Sequence, residues 1–343
     1  MILFENDYSK GCIPEILEKL NTSNFEQNIS YGLDRYCEEA KKLIQEKLEC
    51  DSEIHFLVGG TQTNVTVLSH ILRPYQSVLT ADSGHINTHE TGAIEALGHK
   101  CSLLPSQQGK LSARQVQEAL EIYEKEPSPE HCVQPAALYI SFPTETGLLY
   151  SKKELIDLHS ICQKYKIPFF IDGARLGYGL CAKENDVQFK DLAHLCDIFY
   201  IGGTKIGALF GEAVIFNQKE YAKGFRLSTK QKGGLLAKGF LLGIQFQTLF
   251  EKNRYFQISK QAIEHAERLK NGLQEKVYSF FYPCQSNQLF PILPKKVTNE
   301  LRRDFGLMTW QDLGEEEVIR MVTDWATKKE DVEAFLKQLP RKN

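Results

Sequence analysis

No stretch of the 343 residues approaches the roughly 20 consecutive apolar residues that a membrane-crossing helix requires. The opening Met1-Ile-Leu-Phe-Glu-Asn6 lacks the basic start and long apolar core of a secretory leader, so a cytoplasmic protein without membrane contact is expected. Charge of one sign is also lacking. The 41 basic residues stand against 44 acidic ones, a net charge of −3, which offers no electrostatic surface for nucleic acid or an anionic membrane. Nine cysteines are scattered with no Cys-x-x-Cys pair and no Cys/His zinc spacing, which predicts buried reduced thiols and no metal site. Internal repeats and low-complexity tracts are missing as well. The most linker-like run, Glu126-Pro-Ser-Pro-Glu130, reads as a surface loop within a domain.

What is present is enough apolar material, 42% of the chain, to bury a large core in one big domain and a smaller one. Strand-like runs alternate with helical periodicity through the middle. Strands are expected at Ile54 to Val58, Ser77 to Thr80, Cys101 to Leu104, Ala136 to Ser141, Ile167 to Ile171, Ile198 to Ile201 and Ala213 to Phe216. Helices are expected at Thr63 to Leu72, Ser112 to Glu124 and Lys152 to Tyr165. Such alternation implies an α/β fold with a mostly parallel sheet covered by helices on both faces. From about Gln218 to Tyr278 the pattern is helical. It then restarts as a strand at Gln288 to Leu293, a helix at Thr298 to Asp304, a strand at Glu317 to Thr323 and a helix at Lys329 to Leu339. This predicts a large domain over 28–250, a small α+β domain over 251–343, and an N-terminal segment, 1–27, joined to the small one.

The chemistry concentrates on two residues 33 positions apart. Asp172 ends the apolar run Ile167-Pro-Phe-Phe-Ile171, and Lys205 follows Ile198-Phe-Tyr-Ile201 through a Gly-Gly-Thr turn. Carboxyl ends of strands in α/β sheets are where such folds bind ligands. Apolar flanks predict a desolvated amine at Lys205, with a lowered pKa and usable nucleophilicity. A lysine that forms a Schiff base and an acid that keeps a pyridine nitrogen protonated are what pyridoxal phosphate needs.

Other groups join them. Gly59-Gly60-Thr61 closes a strand and opens a helix, either as a phosphate cradle or as an ordinary turn with Thr61 as N-cap. His85 and His89 lie in a loop, Asp82 to Gly92, beyond a strand end, where one ring can stack on a flat cofactor and Glu90 can orient it or cap the next helix. Arg175 either pairs with Asp172 or faces the cofactor or a substrate carboxylate. Arg320, among apolar neighbours, either meets an anion through its planar fork or lies half-exposed on an edge strand. Gly177 to Ala182 matches a dinucleotide-binding pattern only formally, since no acidic residue closes a following strand at the required distance.

Together these segments resemble the low-specificity L-threonine aldolases, members of the aspartate-aminotransferase-like (fold type I) pyridoxal-phosphate enzymes. The likeness runs from Phe4-Glu-Asn-Asp7 to Arg320, and its most specific part is Asp172-Gly-Ala-Arg175 with the lysine at this spacing. The resemblance implies cofactor contacts at Gly59, Gly60, Thr61, His85, Asp172, Arg175, Thr204 and Lys205. It implies substrate contacts at Asn6, Tyr31, Arg175 and Arg320, and catalysis by Lys205 and Asp172 with His85, Glu145 or a water as base. It also implies a homodimer or homotetramer with sites shared between subunits, Tyr31 and Lys230-Gln-Lys232 reaching across.

Three segments depart from the family pattern. Asn6 stands where the family has serine, Glu145 where it has histidine, and Lys205 lies in Gly-Gly-Thr-Lys-Ile-Gly rather than Ser-Lys-Gly-Leu-Gly. The implied reaction is retro-aldol cleavage of a β-hydroxy-α-amino acid to glycine and an aldehyde. Transamination, β-elimination or racemisation on the same cofactor, a cofactor-free scaffold, and a nicotinamide oxidoreductase resting on Gly177 to Ala182 are the rival readings.

Overall fold

In the computed structural model, which describes residues 1–342, the apolar runs of the middle of the chain become strands of one sheet, the central ones buried on both faces. They are β1 (Glu53–Leu57), β2 (Gln76–Ala81), β3 (Lys100–Leu104), β4 (Gln134–Ser141), β5 (Phe169–Asp172), β6 (Ile198–Gly202) and β7 (Glu212–Phe216). They form one sheet in the order β1-β7-β6-β5-β4-β2-β3, in which β7 alone runs antiparallel among the described residues. Side chains alternate across this sheet. Phe169, Ile171, Phe199 and Ile201 enter one core, while Tyr139, Phe170, Ile198 and Tyr200 enter the other. By the same parity Asp172 belongs to the second face, which α3 (Gly60–Ile71) covers through Val67 and Leu68.

The helices form where the sequence supplies caps and a stripe. Two helices, α1 (Pro14–Thr22) and α2 (Arg35–Leu48), precede β1. Ser112 with Gln115 and Ser151 with Glu154 make reciprocal capping boxes on α4 (Ala113–Glu124) and α5 (Lys152–Tyr165). Leu155, Leu158, His159 and Cys162 form the buried face of α5. Next, α6 (Phe240–Phe250) is buried on every side from Leu242 onward and packs on α2. All nine cysteines are unpaired and six are buried. Among the described residues no helix is long and apolar enough to cross a membrane.

The small domain differs from expectation in three ways. The run Gln288 to Leu293 is interrupted: Gln288–Leu289 and β8 (Ile292–Pro294) pair with one strand in a single register, broken at Phe290-Pro291, where proline has no N–H to offer. That partner, β10 (Glu316–Val322), is central, because β9 (Met308–Asp312) pairs along its other side. Arg320 therefore does not lie on an edge. The N-terminal segment is divided: Ile2–Leu3 pairs with Phe305–Gly306 and Phe4 enters the small core, but Cys12, Ile13 and Ile16 enter the large one. The two cores are joined by α7 (Arg254–Glu275), whose Tyr255, Ala262 and Ile263 pack in the large core and Leu269 and Leu273 in the small. Against the small core lies α8 (Lys329–Gln338), through Val332 and Phe335.

Candidate active site

Two glycines set the frame. A Cβ on Gly173 would lie 1.9 Å from the Tyr200 carbonyl oxygen, and one on Gly202 would lie 2.3 Å from that of Ala174. Only glycine allows this approach, and it lets the Gly202 N–H donate to the Gly173 carbonyl at 3.0 Å. The Asp172 strand end and the turn before Lys205 are thus held backbone to backbone.

Asp172 is buried and its carboxylate is fully engaged. Oδ1 accepts from the Ala174 N–H at 3.0 Å and the Tyr200 hydroxyl at 2.5 Å; Oδ2 accepts from the Tyr139 hydroxyl at 2.6 Å and Asn64 Nδ2 at 3.1 Å. Burial alone would raise its pKa. The neighbouring His85 and the two phenol hydrogen bonds outweigh burial and hold the carboxyl below its ordinary value, so it is an anion at neutral pH. Asn64 also donates to Glu90 Oε1 at 2.8 Å, and that same oxygen meets His85 Nδ1 at 2.7 Å. Asn64, Tyr139 and Tyr200 were not singled out from the sequence. The signal for the tyrosines is strand parity with Asp172, which becomes visible once the register Asp172 to Ser141 is known.

Lys205 lies in a hollow of about 90 Å³ with Tyr8, His85, His89, Glu145, Arg175, Gln288, Trp310 and Arg320. Burial first, and then the Arg175 charge, push its amine below the ordinary lysine value against the opposing pull of Asp7, Asp172 and Glu212. Arg175 does not pair with Asp172. Its Nε and Nη2 clamp Asp7 at 2.7 and 3.0 Å, and Asn287 Nδ2 donates to the same carboxylate at 3.0 Å. Arg320 reaches the hollow from β10 with its Nε buried and unbonded. Burial and the Arg175 charge push its guanidinium down to about 10. A half-buried cation whose buried Nε is a free donor, beside two other cations, is a receptor for an anion.

Glu145 lines the hollow opposite, with Oε1 accepting from Ser141 Oγ at 2.6 Å and from the His85 N–H at 2.8 Å. Burial, with the Asp172 charge adding to it, raises its pKa despite the Ser141 hydrogen bond. The His89 ring lies 5.5 Å from that of His85 and 19° from parallel. Burial lowers its pKa, helped by His85, Arg320, Arg175 and Lys205.

The remaining expected residues fall in three places. Gly59 is the N-cap of α3, whose helix starts at Gly60, so Thr61 is an exposed first-turn residue and not the cap. The first-turn N–H groups of that helix have no intrahelical partner. Thr204 precedes Lys205, and its hydroxyl donates to Glu212 at 2.8 Å. Asn6 is outside the hollow: its Oδ1 accepts from the Tyr8 N–H at 2.9 Å and Ser9 Oγ at 2.8 Å, while Tyr8 faces Lys205. Tyr31 lies in a separate hollow with Arg226 and Gly239, and the Lys230 amine sits 4.7 Å over its ring.

The arrangement fits pyridoxal phosphate. It has a buried amine of lowered pKa, a buried carboxylate kept ionised with phenols around it, and glycines opening a 12-residue helix at the same sheet edge. Among the described residues no group of His, Cys, Asp and Glu is placed to hold a metal ion.

Comparison with known proteins agrees with this geometry. The model of the β-eliminating lyase family matches residues 7–294. A low-specificity L-threonine aldolase of Pseudomonas sp. (strain NCIMB 10558) is 27% identical over 308 residues, 87% of this chain and 86% of that one. The structure of a Leishmania major threonine aldolase superposes with a TM-score of 0.96 at 42% identity, covering 99% of this chain and 98% of that one. Aspartate aminotransferase from Thermus thermophilus, 14% identical, shares the fold alone, at a TM-score of 0.73 over 99% of this chain and 91% of that one. With a mostly parallel seven-stranded sheet, a small antiparallel domain and this set of relatives, the chain is a member of the β-eliminating lyase family, homologous to the low-specificity L-threonine aldolases.

Proposed function

We propose that the chain is a pyridoxal-phosphate-dependent aldehyde-lyase that cleaves L-threonine, L-allo-threonine and similar β-hydroxy-α-amino acids to glycine and an aldehyde. The observation that carries this reading is the hollow in which Lys205, Arg175, Arg320 and Glu145 meet. It pairs an amine and a carboxylate receptor with a base of raised pKa.

Bound pyridoxal phosphate would supply a ring that takes up the electron pair released when the Cα–Cβ bond breaks. The chain's own residues do the rest. Lys205 offers an amine kept low enough in pKa to bond the cofactor's aldehyde. Asp172, held ionised, would exchange one of its present donors for the ring nitrogen and keep that nitrogen protonated. Gly59, Gly60 and Thr61 present the α3 N-terminus to the phosphate. His85, oriented by Glu90, offers its ring. Arg320 grips the substrate carboxylate, with the clamped Arg175 adding its charge, and this fixes which bond stands ready to break. Glu145 takes the β-hydroxyl proton; a pKa raised toward neutrality makes a carboxylate a better base for that step.

An oligomer with sites completed by a second copy is part of the proposal. Phe25, at 95% exposure, and Ile29 and Leu33 lie exposed in the chain around Tyr31, while Leu227, at 76%, follows the Arg226 that donates to the Tyr31 carbonyl at 2.9 Å. These exposed apolar side chains support burial against another copy of the chain.

The test is a visible spectrum before and after borohydride, followed by aldehyde release from L-threonine, L-allo-threonine and phenylserine. Loss of a visible band together with aldehyde release supports the reading. A band with no aldehyde, and α-keto acid formed from other amino acids, moves the reaction to transamination. A Lys205→Ala protein that kept colour and activity would overturn the assignment of the lysine.

A further inference from the structure

Glu212 belongs to none of the roles above, yet it is a carboxylate only 3% exposed in the middle of the sheet edge that carries the site. It opens β7 and is paired on one side with Leu57, at the end of β1, and on the other with Gly202, at the end of β6. The first neighbour leads into Gly59 and α3; the second leads into Gly203, Thr204 and Lys205. Both carboxylate oxygens are spent on the second turn: Oε2 accepts from the Gly203 N–H at 3.2 Å and Oε1 from Thr204 Oγ1 at 2.8 Å. Thr204 Oγ1 in turn accepts from the Gly211 N–H at 3.0 Å.

Hydrogen counting makes this a switch. A hydroxyl has one hydrogen to donate and two positions at which to accept. While Glu212 is ionised, the Thr204 hydrogen is committed to it and none remains for a ligand. When Glu212 carries a proton on Oε1, the carboxyl donates to Thr204 Oγ1, which still accepts from Gly211 and now has its own hydrogen free.

We propose that Glu212 is a positioning residue that acts through Thr204, and that it carries a proton whenever the phosphate of pyridoxal phosphate is docked against Thr204 and the first turn of α3. This rests on the cofactor reading above. Four titratable groups face Glu212: Lys205, whose charge favours the ionised form, Asp172, whose charge opposes it, and the phenols of Tyr200 and Tyr255. Burial outweighs the others and pushes the Glu212 carboxyl up to about 8. The proton is therefore already largely in place at pH 7, and the linkage shows itself above pH 8. A phosphate dianion raises the carboxyl pKa further, so binding tightens as the proton is taken up.

The test measures dissociation constants of pyridoxal phosphate and of pyridoxal for the full chain, stripped of cofactor, between pH 6.5 and 9.5. Aldehyde, phenol and ring nitrogen are common to both, so the ratio of the two constants isolates the phosphate. In the natural protein the advantage of pyridoxal phosphate over pyridoxal is expected to be constant below about pH 8 and to fall about tenfold per pH unit above it. In Glu212→Gln the amide nitrogen donates to Thr204 at every pH, so the advantage is expected to stay constant throughout. A pH-independent ratio in the natural protein overturns the proposal, and that measurement suffices if the variant does not fold. A variant that folds and keeps the natural slope overturns it equally. Absence of pyridoxal phosphate binding at any pH overturns the cofactor reading and this proposal with it.

Discussion

Arg175 and Asp7 are clamped by two parallel hydrogen bonds, 2.7 and 3.0 Å long, although 168 residues separate them. The pair holds the N-terminal segment against the turn that follows Asp172, and it leaves Arg320 as the half-buried guanidinium in the hollow with a buried, unbonded Nε. Replacing Asp7 with Asn removes one partner of a buried pair, a change that costs about 3–5 kcal/mol. It also removes a charge that raises the Lys205 pKa. We expect a lower denaturation midpoint in urea and, in the protein stripped of cofactor, a Lys205 amine titration, read from the pH dependence of its acylation rate, displaced downward. An unmoved titration would show that Asp7 does not act on the amine.

Arg320→Lys keeps a positive charge and loses the planar fork. A charged hydrogen bond contributes about 1.5–3 kcal/mol, so kcat/KM should fall about 10- to 150-fold. Carried mainly by KM, that loss should leave the visible band intact. A loss confined to kcat would mean that Arg320 acts on the reacting bond and not on the carboxylate.

Glu145→Gln should reduce kcat by about 10²–10⁴-fold, the usual worth of a positioned base. The pH profile gives the sharper reading. The base works ionised and its pKa is raised, so activity should fall as pH drops through a value above the ordinary 4.5 of glutamate. That acidic limb should vanish in the variant. A limb that survives unchanged would assign the proton to another group, with His85 and His89 the nearest in the hollow.

The small domain has its own acid-sensitive link. Glu317 is buried and accepts from Arg302 at 2.8 and 3.0 Å, from Thr309 at 2.6 Å, and from Thr298. Burial alone would raise its carboxyl, but these contacts hold it at about 2 against an ordinary 4.5. A lowered pKa contributes stability that is full above the unfolded value and is lost as pH falls from about 4.5 to about 2. Glu317→Gln should therefore destabilise the protein at pH 7 by about 3 kcal/mol, with the difference shrinking as pH falls through that window. A gap that stays constant with pH in thermal unfolding would contradict this.

The legibility of the chain followed burial. Strands buried on both faces read as continuous apolar runs, which is why β4 to β7 stood out. The exposed β9, Met308-Thr-Trp-Gln-Asp312, shows no such run, and without it Arg320 looked as much an edge residue as a central one. Asp172 and Lys205 were visible because each breaks an apolar pattern. Asp7 and Glu212 were not, since their meaning lies in partners brought near by folding. The Arg175 to Asp7 clamp needs the whole large domain in place, and the Glu212 hydrogen bonds need the antiparallel entry of β7.

The contact of Gly173 with the Tyr200 carbonyl makes the spacing of the acid and the amine a property of the main chain. Tyr8, Gln288 and Trp310, which line the hollow around Lys205, stand outside that contact. Random substitution should therefore divide sharply. Changes at Gly173 or Gly202 are expected to abolish every activity together, whereas changes at the three wall positions can redirect substrate choice while colour and fold persist. A selection for new aldehydes should accordingly return variants at the wall and none at the hinge between the two strand ends.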